Sequence, residues 1–180
     1  MQALNQAGIL PIQNHSTIQL SGKQVMIGFL DTGIDYQNPI FQHLDKTTRI
    51  AGIWDQTIQS GTPPESFYYG SHYTPDMINE ALASEDPYSL VPSVDNNGHG
   101  TFLASIAAGS GDPGAQFIGA APESVIAVVK LKQAKQYLRD YYFIPNTAPA
   151  FQENDIMLGM RYLHLLAEKL GLPLIFCLAL

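Results

Sequence analysis

Two short runs hold the residues of this chain best suited to chemistry. One is an aspartate closing an apolar stretch, Phe29-Leu30-Asp31-Thr32-Gly33-Ile34-Asp35, and the other a histidine between glycines, Asn97-Gly98-His99-Gly100-Thr101. A carboxylate bonded to one imidazole nitrogen fixes the ring's tautomer and stabilises its protonated form, leaving the other nitrogen to take a proton from a nucleophile. If His99 opens a helix, the positive end of the helix dipole works the other way, so the ring stays neutral at rest and accepts a proton when needed. Gly33 permits a sharp exit after Asp31, and Gly98 and Gly100 let backbone pass close to the ring. The hydroxyls of Thr32 and Thr101 can bind nearby backbone groups and fix those turns. Asp35 reads as a turn residue.

Elements must bring the two residues together. Four apolar runs, at 25–30, 50–54, 125–131 and 172–180, stand out, the second the weakest. The other three are nearly continuous in Val, Ile, Leu, Phe and Met, as expected of parallel strands covered on both faces. Ile156, Met160, Leu163, Ala167 and Leu170 recur at helical spacing over 155–170, with Asp155 expected to cap the start, Gly171 to end the helix and Pro173 to open the last strand. A shorter helix is expected over 101–108, small and apolar on all sides and so buried, with Gly109 as its stop. Strand, helix, strand, helix, strand in this order argues for an open α/β sheet, and ligand chemistry in such sheets gathers at the carboxyl ends of the strands, where Asp31 would lie.

Two segments read as additions to this frame. Residues 56–97 are rich in Gly, Pro, Ser and Tyr and read as a surface excursion, with a helix signal in Thr74-Pro75-Asp76. Residues 132–154 carry Lys135, Arg139 and Tyr141-Tyr142-Phe143 before a polar loop. At 180 residues the chain suits one domain of the usual size, roughly 100–200 residues. Its 46% hydrophobic and 14% charged content marks it as globular rather than disordered. A net charge of −7 offers no attraction to phosphate, so nucleic acid and anionic membrane surfaces are not expected partners. Residues 1–13 lack the basic start and apolar stretch of a signal peptide, and no run approaches the ~20 apolar residues of a membrane span. Cys177, the single cysteine, lies in an apolar run and reads as a small buried hydrophobe.

The segments Asp31-Thr32-Gly33-Ile34-Asp35 and His99-Gly100-Thr101 resemble the aspartate and histidine motifs of the subtilases, the subtilisin-like serine proteases. Asp95-Asn96-Asn97, Gly119-Ala120-Ala121-Pro122 and the strand at 125–131 also fall where that family has similar segments, and the resemblance covers roughly residues 20–180. Ile53-Trp54-Asp55-Gln56-Thr57 and Tyr73-Thr74 are similar to the clostridial Csp-type subtilases associated with spore germination. The resemblance implies a three-layer α/β subtilisin-like fold with a mainly parallel sheet. It implies peptide hydrolysis by an Asp-His-Ser triad in which Asp31 orients His99, a polypeptide substrate, and room for a propeptide as a further partner. Ser105, Ser110 and Ser124, the only serines after His99, lack the Gly-Thr-Ser-like setting of the family's nucleophile. The expectation is therefore the amino-terminal half of a catalytic domain, inactive alone, with residues 56–97 inserted between the two motifs. No cofactor is expected, and the aspartate that binds calcium in many subtilases, nine residues after the catalytic one, is here Ile40.

Asp-Thr-Gly is also the signature of aspartic proteases, but their two carboxylates require a second copy or a symmetric dimer, and their all-β fold conflicts with the helix at 155–170. The alternative from another class is a non-catalytic subtilase-like module that binds a peptide or partner. His15, His43, His72 and His164 have no metal-ligand spacing with one another or with Cys177. Phe67-Tyr68-Tyr69 with Tyr73 admits two readings, a groove wall or a loop packed on its own aromatics. Lys130, Lys132, Lys135 and Arg139 read as a solvated face.

Overall fold

The computed structural model describes residues 2–18, 20–111, 114 and 117–179. Five strands form one sheet: β1 (Met26–Asp31), β2 (Ile50–Asp55), β3 (Ser71–Tyr73), β4 (Val125–Lys130) and β5 (Leu174–Leu178), in the order β3-β2-β4-β1-β5. All neighbours are parallel except β3, which runs antiparallel to β2. The two-residue period of a strand sorts side chains to opposite faces. Ile27, Phe29, Ile53, Ile126 and Val128 enter one buried cluster, while Met26, Leu30, Trp54, Ala127 and Val129 enter the other.

Helices cover both faces and make the two outer layers of three. On the first face lie α3 (Pro75–Ala83), through Ile78 and Ala81, and α5 (His99–Ala108), through Ala104 and Ala108. On the second lies α7 (Glu153–Leu170), through Tyr162, Leu163 and Ala167. Gly28 lets α7 come close, because a Cβ there would press on the Leu163 side chain. The rest of the chain forms the short helices α1 (Gln2–Gln6), α2 (Ile9–Gln13), α4 (Pro87–Leu90) and α6 (Gln136–Tyr141), with a 3-10 turn at Pro39–Phe41. Among the described residues no helix is long and apolar enough to cross a membrane.

Residues 56–97 add edge strand β3 and contribute Tyr73, Ile78, Ala81 and Val91 to the first core cluster. Thr74 caps α3, its hydroxyl accepting from the Met77 amide, with Pro75 following. Arg49, only 6% exposed, clasps the amino-terminal end of the sheet. Its guanidinium donates to the carbonyls of Ile40, Ala108 and Ser124 and to the Ser110 hydroxyl. Ala108 ends α5, so the cation lies at the negative end of that helix. Burial lowers the Arg49 pKa to about 10, although Glu123 opposes this.

Several expectations need correction. Helix α5 is buried on one side only, through Gly100, Ala104 and Ala108, while Phe102 and Ile106 face outward. Asp155 is not a cap: α7 begins earlier, after Gln152, and the Asp155 side chain is buried in a polar cluster instead. Gly171 does end that helix, in the left-handed conformation at φ 65°. The last strand is not covered on both faces, since Ile175, Phe176 and Leu178 are exposed and Cys177 is only partly buried. Of the four basic residues read as a solvated face, only Lys135 is exposed. Lys130 and Lys132 are partly buried in ion pairs and Arg139 is buried.

Candidate active site

Parallel pairing places Asp31, Lys130 and Asp55 in one row at the carboxyl end of the sheet. Asp31 is the last residue of β1 and nearly inaccessible. His99 is the first residue of α5, reached through Gly98 at φ 83°, and its side chain is 46% exposed. His99 Nδ1 lies 2.9 Å from Asp31 Oδ1 and 3.0 Å from Oδ2. A carboxylate can only accept, so Nδ1 carries the hydrogen and the neutral ring keeps its lone pair on Nε2. Nε2 has no protein partner among the described residues. The amide of Thr32 also donates to Asp31 Oδ1 at 2.7 Å, which fixes the carboxylate plane.

The turns after Asp31 and before His99 interlock. Gly33 sits at φ 126°, and a Cβ on Gly100 would collide with its carbonyl oxygen, so the helix start lies directly on the turn. The Gly100 amide donates to Thr32 Oγ1 at 3.0 Å, and the Asp35 amide to Thr101 Oγ1 at 2.9 Å. Asp95 joins the same assembly. Its Oδ1 accepts from Thr32 Oγ1 (2.8 Å) and the Gly98 amide (2.9 Å), its Oδ2 from the amide (2.9 Å) and hydroxyl (2.6 Å) of Thr101. Burial raises its pKa, but these hydrogen bonds outweigh that and hold the carboxyl below the usual aspartate range. Asp35 acts as expected in a turn, its side chain accepting from the Gln37 amide.

A pocket of about 470 Å³ opens over the pair, with Asp31, Thr32, Asn97 and His99 on one side and Pro149, Ala150, Phe151 and Ile156 on another. The apolar wall is held by two polar anchors that the sequence did not announce. Arg139 donates to the carbonyls of Pro145 and Ala148 and to the Gln133 side chain, which orders the loop leading to Pro149. Asp155 accepts from the Tyr69 hydroxyl at 2.7 Å and pairs with Lys132, whose ammonium lies 3.9 Å from the centre of the Tyr69 ring. Burial pushes the Tyr69 hydroxyl pKa well up, and the contact with Asp155 adds to this. The signal was opposite charges in positions 132 and 155, but only the fold reveals that they meet.

The remaining candidates lie elsewhere. Ser105 donates to the Thr101 carbonyl, Ser110 to that of Ile40 and Ser124 to that of Ala121, so none of these hydroxyls is hydrogen-bonded to His99. Phe67 packs on Trp54 and Tyr162, Tyr73 is buried in β3, and Tyr68 is exposed. The aromatic cluster therefore braces the β2 side of the sheet and does not line the pocket over His99. His72 stands edge-on to Tyr162, and burial, with Lys169, lowers its pKa. His164 faces Glu168 on the exposed side of α7, and His15 accepts from the amides of Thr17 and Ile18.

Comparison with known proteins adds three findings. A family profile described as Peptidase_S8, the subtilase family, matches residues 22–154. The subtilisin-like protease SBT2.2 of Arabidopsis thaliana is 32% identical over 131 residues, covering 62% of this chain and 15% of its own, and SBT2.3 of the same plant is 31% identical over 102 residues. The solved structure of the Clostridium perfringens CspB protease superposes with a TM-score of 0.80 at 32% identity, covering all of this chain and 33% of its own. The chain thus spans a third or less of each of these relatives.

Proposed function

Since this chain belongs to the subtilase family, we propose that it supplies the acid and base of a serine endopeptidase whose nucleophile lies outside these 180 residues. The observation that carries this reading is the Asp31–His99 pair, with Nδ1 held by both carboxylate oxygens and Nε2 left to a half-open pocket. In the proposed reaction a serine oxygen attacks the peptide carbonyl carbon while its proton passes to Nε2. The tetrahedral intermediate then expels the amine, which takes that proton as the C–N bond breaks. Water repeats the sequence on the acyl-enzyme, and Asp31 steadies the imidazolium in both halves.

The proposed substrate is an extended polypeptide bound by main-chain hydrogen bonds along an exposed strand edge, with an apolar side chain against Pro149, Phe151 and Ile156. Every proton transfer in this scheme uses a side chain or water, so it calls for no cofactor. Calcium does not fit at Ile40: the side chain has no donor, and its carbonyl already accepts from cationic Arg49 and from Ser110.

A fluorophosphonate probe tests the reading. The complete protein should be labelled at one serine outside residues 1–180 and should lose peptide cleavage in His99→Ala while staying folded. The 180-residue chain should take no label. Labelling at Ser105, Ser110 or Ser124 would refute the assignment, as would turnover retained in His99→Ala. A complete protein with no labelled serine would instead be a non-catalytic binding module.

A further inference from the structure

We infer that Asp95 is a positioning residue for the Asp31–His99 pair: its carboxylate bridges the turn that follows β1 and the turn that opens α5. The inference rests on the acid–base reading of that pair. Asp31 and His99 come from different elements, and nothing covalent near either sets their separation. Residues on both sides of the pair instead converge on one carboxylate. Oδ1 takes the hydroxyl of Thr32, next to Asp31, and the amide of Gly98, next to His99. Oδ2 takes both donors of Thr101, whose oxygen in turn accepts from Asp35. Thr32 closes the loop by accepting from Gly100.

The brace is itself anchored to the sheet. Lys130, opposite Asp31 in the β1–β4 register, donates to the Val94 carbonyl at 2.7 Å and lies 3.5 Å from Asp55. Asp55 accepts from Ser93 at 2.7 Å. The two residues preceding Asp95 are thus pinned to the ends of β2 and β4, the strands beside β1 on one side. Asp95 is not among the residues lining the pocket, so its influence would reach a substrate only through Asp31 and His99. Misplacement of reacting groups by about 1 Å can cost on the order of a hundredfold in rate, so such a brace matters even without touching substrate.

A carboxylate suits this position because both oxygens face donors. Asparagine keeps the shape but offers one oxygen, and its NH₂ must confront either the Gly98 side or the Thr101 amide. The test reads the two ring nitrogens of His99 by ¹⁵N NMR and the exchange of the Nδ1 proton, with no substrate required. In the unaltered protein the neutral ring should be the Nδ1–H tautomer. In Asp95→Asn and in Thr32→Val we expect mixed tautomers and Nδ1 exchange faster by roughly tenfold, as for the loss of about one hydrogen bond. Thr32→Ser should restore the original pattern. Asp45→Asn, which removes a turn carboxylate bound to the amide and hydroxyl of Thr47 away from the site, should leave it unchanged.

Folded Asp95→Asn and Thr32→Val proteins with the original tautomer and exchange rate would overturn the inference. If Asp95→Asn does not fold, the Thr32→Val and Thr32→Ser pair decides. The readout is independent of cleavage: peptide turnover retained in His99→Ala would sink the protease reading while leaving the NMR result standing, and the converse also holds.

Discussion

Asp31 is sealed beneath a ring that stands half open, an arrangement that depends on how closely backbone can approach backbone at Gly100. A Cβ there would collide with the Gly33 carbonyl oxygen and lie 3.2 Å from the Asp31 Cβ. Backbone cannot swing aside as a flexible side chain would, so Gly100→Ala should displace the start of α5 and cost about 1–3 kcal/mol by urea denaturation. Gly98→Ala differs in kind. Its Cβ meets nothing within 4 Å, and only the φ of 83° is unfavourable, so about 1 kcal/mol is expected. Asp95 gives the site an acid limit. Its folded pKa is depressed, so its contribution to stability is fully present above the ordinary aspartate value near pH ~4 and is lost as pH falls through the lower folded value. Asp95→Asn should therefore flatten the acid limb of the stability–pH curve measured by denaturant titration, and an unchanged slope there would contradict this.

The elements that position the site differ in how openly the sequence declares them. Helix α7 and strands β1 and β4 follow from periodicity and apolar runs, because their pattern is set by what each residue faces over several turns. Strand β3 has three residues and exists only through pairing with β2, so no local pattern marks it. Asp155 reads locally as a cap because acidic residues favour first turns, yet Tyr69 and Lys132 claim it from distant segments. Lys130 and Arg139 were legible as charges but not as partly or fully buried ones, since their partners, backbone carbonyls together with Asp55 and the Gln133 side chain, take positions that only the fold supplies. The dyad itself was legible because its two motifs are contiguous runs. The packing of α7 on the sheet yields a direct test. Leu163 is fully buried against Gly28, so Leu163→Ala should cost about 2–5 kcal/mol in thermal or urea unfolding, against well under that for half-exposed Leu165→Ala.

As a whole the molecule is closed along β3, whose outer side is flanked by residues 56–70, and open along β5. Among the described residues β5 pairs only with β1, and Ile175, Phe176 and Leu178 are exposed beside its free edge. Such an edge invites pairing with another chain. Sedimentation of the 180-residue chain should show concentration-dependent association that Phe176→Lys reduces, and a monomer at all concentrations would argue against it. The sheet order also sets when Asp31 and His99 can be aligned. Strand β1 is made early, yet its neighbours in the sheet are β4 and β5, so the strand bearing Asp31 stays unpaired until β4 exists and is flanked on both sides only once β5 does. Contacts so distant in sequence make folding slow. A chain emerging from the ribosome therefore carries Asp31, and then His99, well before the sheet that aligns them, so topology postpones the completed Asp31–His99 geometry until synthesis has moved far past His99.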